Sequence, residues 1–155
     1  MEEIRRMQEN LLLIRRAVGW TAEEFGEQIG VTRQTINNIE SGRNKLTKTQ
    51  YIAMRSVLDA EMAKHPEDTK MLRVLLDALV DRPEKYTDQE RNELLKQANL
   101  LTPSILAGSA TREEVSNEWM KTAMLAGSVA SALISSVVAA GPWLVKIIAG
   151  KDNKK

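Results

Sequence analysis

The 155-residue chain has no cysteine, one histidine, one phenylalanine and four prolines. Without thiols there are neither disulfides nor thiolate metal sites. The lone His65 stands before Pro66 at what reads as a helix end, where a solvated surface group is expected rather than a general base. No Gly-rich phosphate loop, metal-ligand spacing or nucleophile–base pair is found. The sequence therefore predicts no enzyme: no catalytic residue, no metal and no cofactor. An excess of one charge is missing too, since 22 basic and 21 acidic residues leave a formal net charge of +1. The start of the chain is charged from Met1 to Arg6, and the apolar run Leu11–Ile14 is too short for a secretory signal, so the N-terminal part is expected in the cytoplasm. The length suits one domain, or one small domain with an appendage.

What is present is concentrated between Phe25 and Gly42, FGEQIGVTRQTINNIESG. The pattern reads as two short helices joined by a tight turn. Gly30 supplies the left-handed residue that ends the first helix, and Thr32 can cap the second. Phe25, Ile29, Val31, Ile36 and Ile39 fall on the inner faces of two crossed helices. Arg33, Gln34, Thr35, Asn37 and Asn38 are left outward or end-on, and Arg, Gln and Asn are side chains able to form bidentate bonds to base edges in the major groove. Between Thr32 and Lys48 four basic residues (Arg33, Arg43, Lys45, Lys48) face one acid, Glu40, a local net charge of +3. That excess lies where DNA phosphates would be met.

From Asn10 to Asp59 the chain resembles the Cro and phage-repressor family of helix-turn-helix domains, the xenobiotic-response-element type. The marks are Gly19-Trp20-Thr21, Glu24-Phe25, Ile29-Gly30-Val31-Thr32, Arg33-Gln34-Thr35-Ile36 and Ile39-Glu40-Ser41-Gly42-Arg43. The resemblance implies a lambda-repressor-like domain over residues 1–65 that binds double-stranded DNA. Arg33, Gln34 and Asn38 would read bases, with Thr35 and Asn37 as accessories. Thr21, Thr32, Arg43 and Lys45 would stand at phosphates. It also implies a structural pair of Arg15 and Glu40; Arg16 could take the place of Arg15, or all three could be solvated. Where the family often has Gln just after the cap of its second helix, this chain has Ala22, which removes one expected phosphate contact.

Helical spacing of Met7, Leu11, Ile14 and Val18 predicts one helix over residues 4–18. Capping-box patterns at Thr21/Glu24, Thr47/Gln50, Thr87/Glu90 and Thr111/Glu114 predict further helix starts. Residues 66–101 read as a helical hairpin, packed on the first domain or on a second copy and suited to dimerisation. Its apolar stripe is Met71, Leu72, Leu75, Leu76 and Leu79. Residues 102–121 read as a linker and the start of the last helix, the linker itself being Thr102–Ala110.

Thr122 to Val145 then carries no charge for 24 residues. As a helix that run is about 36 Å long, enough for a bilayer core of ~30 Å. Residues 122–148 are therefore expected to form a hydrophobic helix, a single membrane span in contact with lipid, with Trp143 and Lys146 at the interface; the same pattern would also serve a helix buried in a soluble oligomer. The overall expectation is all-α: a dimeric or higher homo-oligomeric repressor, attached to the cytoplasmic membrane with its DNA-reading domain inside. The alternative is a membrane-associated or oligomerising interaction or defence module that keeps the helix-turn-helix fold.

Overall fold

The structure, a computed structural model, describes residues 2–125 together with Trp143, Leu144 and Ile147. Among the described residues all regular structure is helical. The predicted helix over residues 4–18 is two: α1 (Glu2–Glu9) and α2 (Leu11–Val18). Asn10 separates them. Its side-chain amide donates to the Arg6 carbonyl at 2.8 Å, and Asn is a residue whose side chain competes with the backbone for helical hydrogen bonds.

Thr21 and Glu24 close a capping box on α3 (Ala22–Ile29), and Thr32 caps α4 (Arg33–Glu40). The turn between them depends on two glycines. Gly30 takes φ +78°, in the left-handed region. Gly26 lets the backbone close in: a Cβ there would sit 2.6 Å from the Val31 carbonyl oxygen. Thr47 and Gln50 cap α5 (Lys48–Lys64) with a second box.

Beyond His65 the chain does not form a separate unit. Helix α6 (Lys70–Leu76) runs on into a π-helical turn, Asp77–Asp81, and residues 71–80 are all buried. A helix buried on every side lies in a core, and α6 packs on α2 and α9 while the π turn meets α1. The apolar stripe expected to pack on the first domain or on a second copy is thus buried inside the chain itself, against α2 of that first domain and α9. Asp77 is satisfied there by Arg82 Nε at 2.6 Å and the Tyr86 hydroxyl at 2.8 Å.

Thr87/Glu90 caps α7 (Asp88–Leu101). The predicted linker contains a short helix, α8 (Pro103–Leu106), packed on α2, and Thr102 is fully buried. Thr111 caps α9 (Arg112–Leu125), accepting from Glu114 N at 3.1 Å. Helix α9 is sewn in by Trp119 Nε1, which donates to the Leu94 carbonyl at 3.2 Å, and by Ser116 Oγ, which accepts from Met71 N at 3.2 Å. One hydrophobic cluster takes in Met7, Phe25, Leu58, Leu75, Trp119 and Ile147.

Among the described residues no helix is long and apolar enough to cross a membrane. The expected span over 122–148 falls mostly outside the described residues, residues 126–142 included. Its later landmark is described, and there the expectation needs correction. Trp143 is buried, not at a membrane interface. Its ring meets Tyr51 edge-on, centroids 5.9 Å apart at 85°, and carries the Arg55 guanidinium 5.4 Å from its centroid. Its indole N–H donates to the Asp59 carboxylate. Ala123, Trp143 and Ile147 all belong to the same cluster. A single crossing would instead put the two ends of the run on opposite faces of a bilayer core ~30 Å thick.

Candidate nucleic-acid interface

Ile36 and Ile39 turn α4 inward, where both are buried, and so fix what it presents outward. Arg33, Gln34 and Asn37 are exposed; Thr35 and Asn38 are half-buried. Gln34 Nε2 donates to Asn38 Oδ1 at 2.9 Å, one turn along. This pairing leaves the Gln34 carbonyl and the Asn38 amino group to face a partner, an acceptor and a donor side by side. That is the combination an adenine edge requires.

The two threonines assigned to phosphates are helix caps. Thr21 Oγ1 accepts from Glu24 N at 3.1 Å. Thr32 Oγ1 accepts from Thr35 N at 3.1 Å and lies 3.0 Å from Thr35 Oγ1. Thr35 therefore shares its hydroxyl with the cap before any ligand arrives. Ala22 is buried, so no side chain reaches outward from the first position of α3.

Arg15 resolves the choice between the neighbouring arginines. Its Nε and NH2 donate to Glu40 Oε2 and Oε1 at 2.7 and 3.0 Å, a bidentate pair. Its NH1 donates to the Trp20 carbonyl at 3.0 Å. Both side chains of the pair are only 9% exposed, so α4 is pinned to α2 at its C-terminal end. Arg16 is half-buried.

The pair also changes the electrostatics. Glu40 is the one acid between Thr32 and Lys48, and its charge is spent on Arg15 in a nearly dry site. The outer face is left with Arg33, Arg43, Lys45 and Lys48, none of which is ion-paired among the described residues. Arg43 and Lys45 are exposed on the connection that follows α4. Among the described residues no cluster of three or more His, Asp or Glu is placed to hold a metal ion.

One residue of this region carried no sequence signal. Gln8, on α1, reaches across to the end of α4 and into the basic connection. It lies next to the apolar Met7, and periodicity marks only the apolar neighbour.

A family model described as helix-turn-helix matches residues 11–64. No curated protein and no solved structure matches the chain. The matched stretch begins with α2 and ends with α5, and it contains the Arg15–Glu40 pair, both caps and the basic connection. Over residues 11–64 the chain is thus similar to helix-turn-helix domains.

Proposed function

We propose that the protein is a sequence-specific repressor that binds double-stranded DNA as a homodimer. The observation that carries this reading is the outer face of α4 and its following connection: exposed Arg33, Gln34 and Asn37 beside Arg43 and Lys45, with the local acid already neutralised. Arg33, Gln34 and Asn38 suit base edges, with Thr35 and Asn37 as accessories. Arg43, Lys45 and the free amides at the starts of α3 and α4 suit phosphates, which set register. Thr21 and Thr32 serve that contact indirectly, by fixing the helix starts whose amides would point at it. A two-fold dimer would meet half-sites about one DNA turn, ~34 Å, apart. The membrane tether has no part in this reading, because Trp143 and Ile147 are packed in the domain core.

The test is salt-dependent binding to selected and to random duplexes. Arg33→Ala or Gln34→Ala should cost about 1–3 kcal/mol on the selected site and relax one base position. Arg43→Ala or Lys45→Ala should weaken both duplexes alike and shrink the salt slope by about one unit. Equal losses on both duplexes for the α4 variants would remove them from base reading. Ala22 favours a second reading, an interaction module that keeps the fold without the DNA role, which forecasts no salt-dependent binding at all.

A further inference from the structure

We propose that Gln8 is a positioning residue that holds the basic connection after α4 in its phosphate-contacting shape; this rests on the DNA-binding reading above. Its side-chain amide is engaged at both ends. Nε2 donates to the Ile39 carbonyl at 2.9 Å and to the Asn44 carbonyl at 2.8 Å. Oε1 accepts from Leu46 N at 3.0 Å. One side chain thus ties the last turn of α4 to both sides of Lys45.

The connection needs such a tie. Residues 41–45 are exposed, and Gly42 takes φ +81°, in the left-handed region. Arg43 and Lys45 repel each other and have no ion-pair partner among the described residues. Other bonds hold only its first part: Asn44 N donates to the Asn38 carbonyl at 3.1 Å, and Ser41 Oγ to the same carbonyl at 3.2 Å. Among the described residues Gln8 is what satisfies the Asn44 carbonyl and the Leu46 amide. Fixing those two groups orders the backbone on either side of Lys45 before DNA arrives, so less ordering entropy is lost on binding.

Only an amide fits the donor pattern. Two carbonyls require two N–H donors and one N–H requires an acceptor, which glutamine alone among side chains of that length provides. Glutamate would set a carboxylate against two carbonyl oxygens. Gln8 also lies on α1, before the matched segment 11–64, so the device is added to the family domain from outside it.

The experiment uses the full chain, with Gln8→Met as the nonpolar isostere and Gln8→Glu as the variant with the wrong donor pattern. The first readout is hydrogen exchange at the Leu46 amide, which should quicken by about tenfold or more in both variants while α6 amides stay protected. The second is affinity for a ~30-base-pair duplex of mixed sequence at ~50 and ~200 mM salt. Both variants should bind several-fold more weakly than wild type. On a background of Arg43→Ala with Lys45→Ala, Gln8→Met should change binding less than about twofold, since the contacts it positions are gone. An equal fold-loss on both backgrounds would show a merely structural role and overturn the proposal, as would unchanged Leu46 exchange. Should Gln8→Met fail to fold, Gln8→Glu carries the same comparison. Wild type that binds no duplex at either salt overturns the DNA reading and the proposal with it; wild type that binds while the variants bind equally well overturns the proposal alone.

Discussion

Removing the Glu40 carboxylate tests how α4 is held. Glu40→Ala leaves the Arg15 guanidinium nearly buried, with only the Trp20 carbonyl of its three hydrogen-bond contacts remaining. Breaking a buried ion pair from one side costs about 3–5 kcal/mol, because the surviving charge is desolvated without compensation. Two smaller effects oppose this. Glu40 is the last residue of α4, where a negative charge runs against the helix dipole, so its removal returns about 0.3–1 kcal/mol. Alanine is also the better helix former by a few tenths of a kcal/mol. The net expected loss is therefore about 2–4 kcal/mol, or roughly 4–16 °C in Tm for a chain of this size. Urea unfolding followed by circular dichroism gives the number, read as a shift in midpoint at constant m-value. Arg15→Met combined with Glu40→Leu should recover most of the loss, since hydrophobic replacement of a whole buried pair is near neutral. A loss below about 1 kcal/mol for Glu40→Ala is what a solvated surface pair would give, and it would refute the inference that this pair pins α4 to α2.

Two further expectations concern the cover over α5. Trp143→Ala should cost about 3–5 kcal/mol, as for other large core truncations, because it removes the edge-on contact with Tyr51, the Arg55 stacking and the donor to Asp59; an indole in a lipid interface would leave urea unfolding of the domain unchanged. Asp59 has its pKa raised, burial outweighing the opposing Trp143 hydrogen bond and the Arg55 charge. The folded protein thus holds that proton more tightly than the unfolded chain. The stability so gained is complete below the ordinary carboxylate pKa of ~3.9 and is lost as pH rises through the folded value. Asp59→Asn should consequently stabilise relative to wild type at pH 7, with the difference vanishing toward pH ~3. A variant more destabilised at pH 7 than at pH 3 would show that the Arg55 attraction dominates instead.

Local chemistry made the helix starts legible. Thr21, Thr32, Thr47, Thr87 and Thr111 each accept the amide three residues on, as their spacing to Glu24, Thr35, Gln50, Glu90 and Glu114 implies. A cap is decided within four residues, so the sequence carries all of it. The interior of the longer segments was less legible. The break at Asn10 interrupts a continuous apolar stripe, and periodicity alone reads through it. The stripe on α6 was visible, but not the burial of Val74, Ala78 and Val80 on its other faces. Nor was its partner, since an apolar face has the same pattern whether its own chain or a second copy covers it. In the site, the outward residues of α4 could be assigned because Ile36 and Ile39 set the rotation of the helix. Gln8 could not: its three bonds reach 31, 36 and 38 residues along the chain, and a lone polar side chain has no periodicity to announce them.

The uncharged run from Thr122 to Val145 shows the same limit at Trp143, its one described landmark. Lack of charge measures only the cost of desolvation, and a protein interior imposes that cost as a bilayer does. What separates the two is where the polar atoms go. Arg55 and Asp59 lie one turn apart on α5. In the structure both are buried. Arg55 is clasped by Asp81 from the π-helical turn, at 2.6 and 2.9 Å, and Asp59 takes the indole N–H of Trp143, 84 residues away. Tyr51, beside them, has its phenol pushed up to about 12 by burial. These groups would be costly to cover without partners, and two of the partners, Asp81 and Trp143, come from outside residues 11–64. The last helix of the matched segment, α5, is therefore completed by the π turn and Trp143, much as the basic connection is completed by Gln8. Residues 11–64 carry the outward face of α4, and the remaining chain supplies the interior that lets α4 and α5 keep their positions.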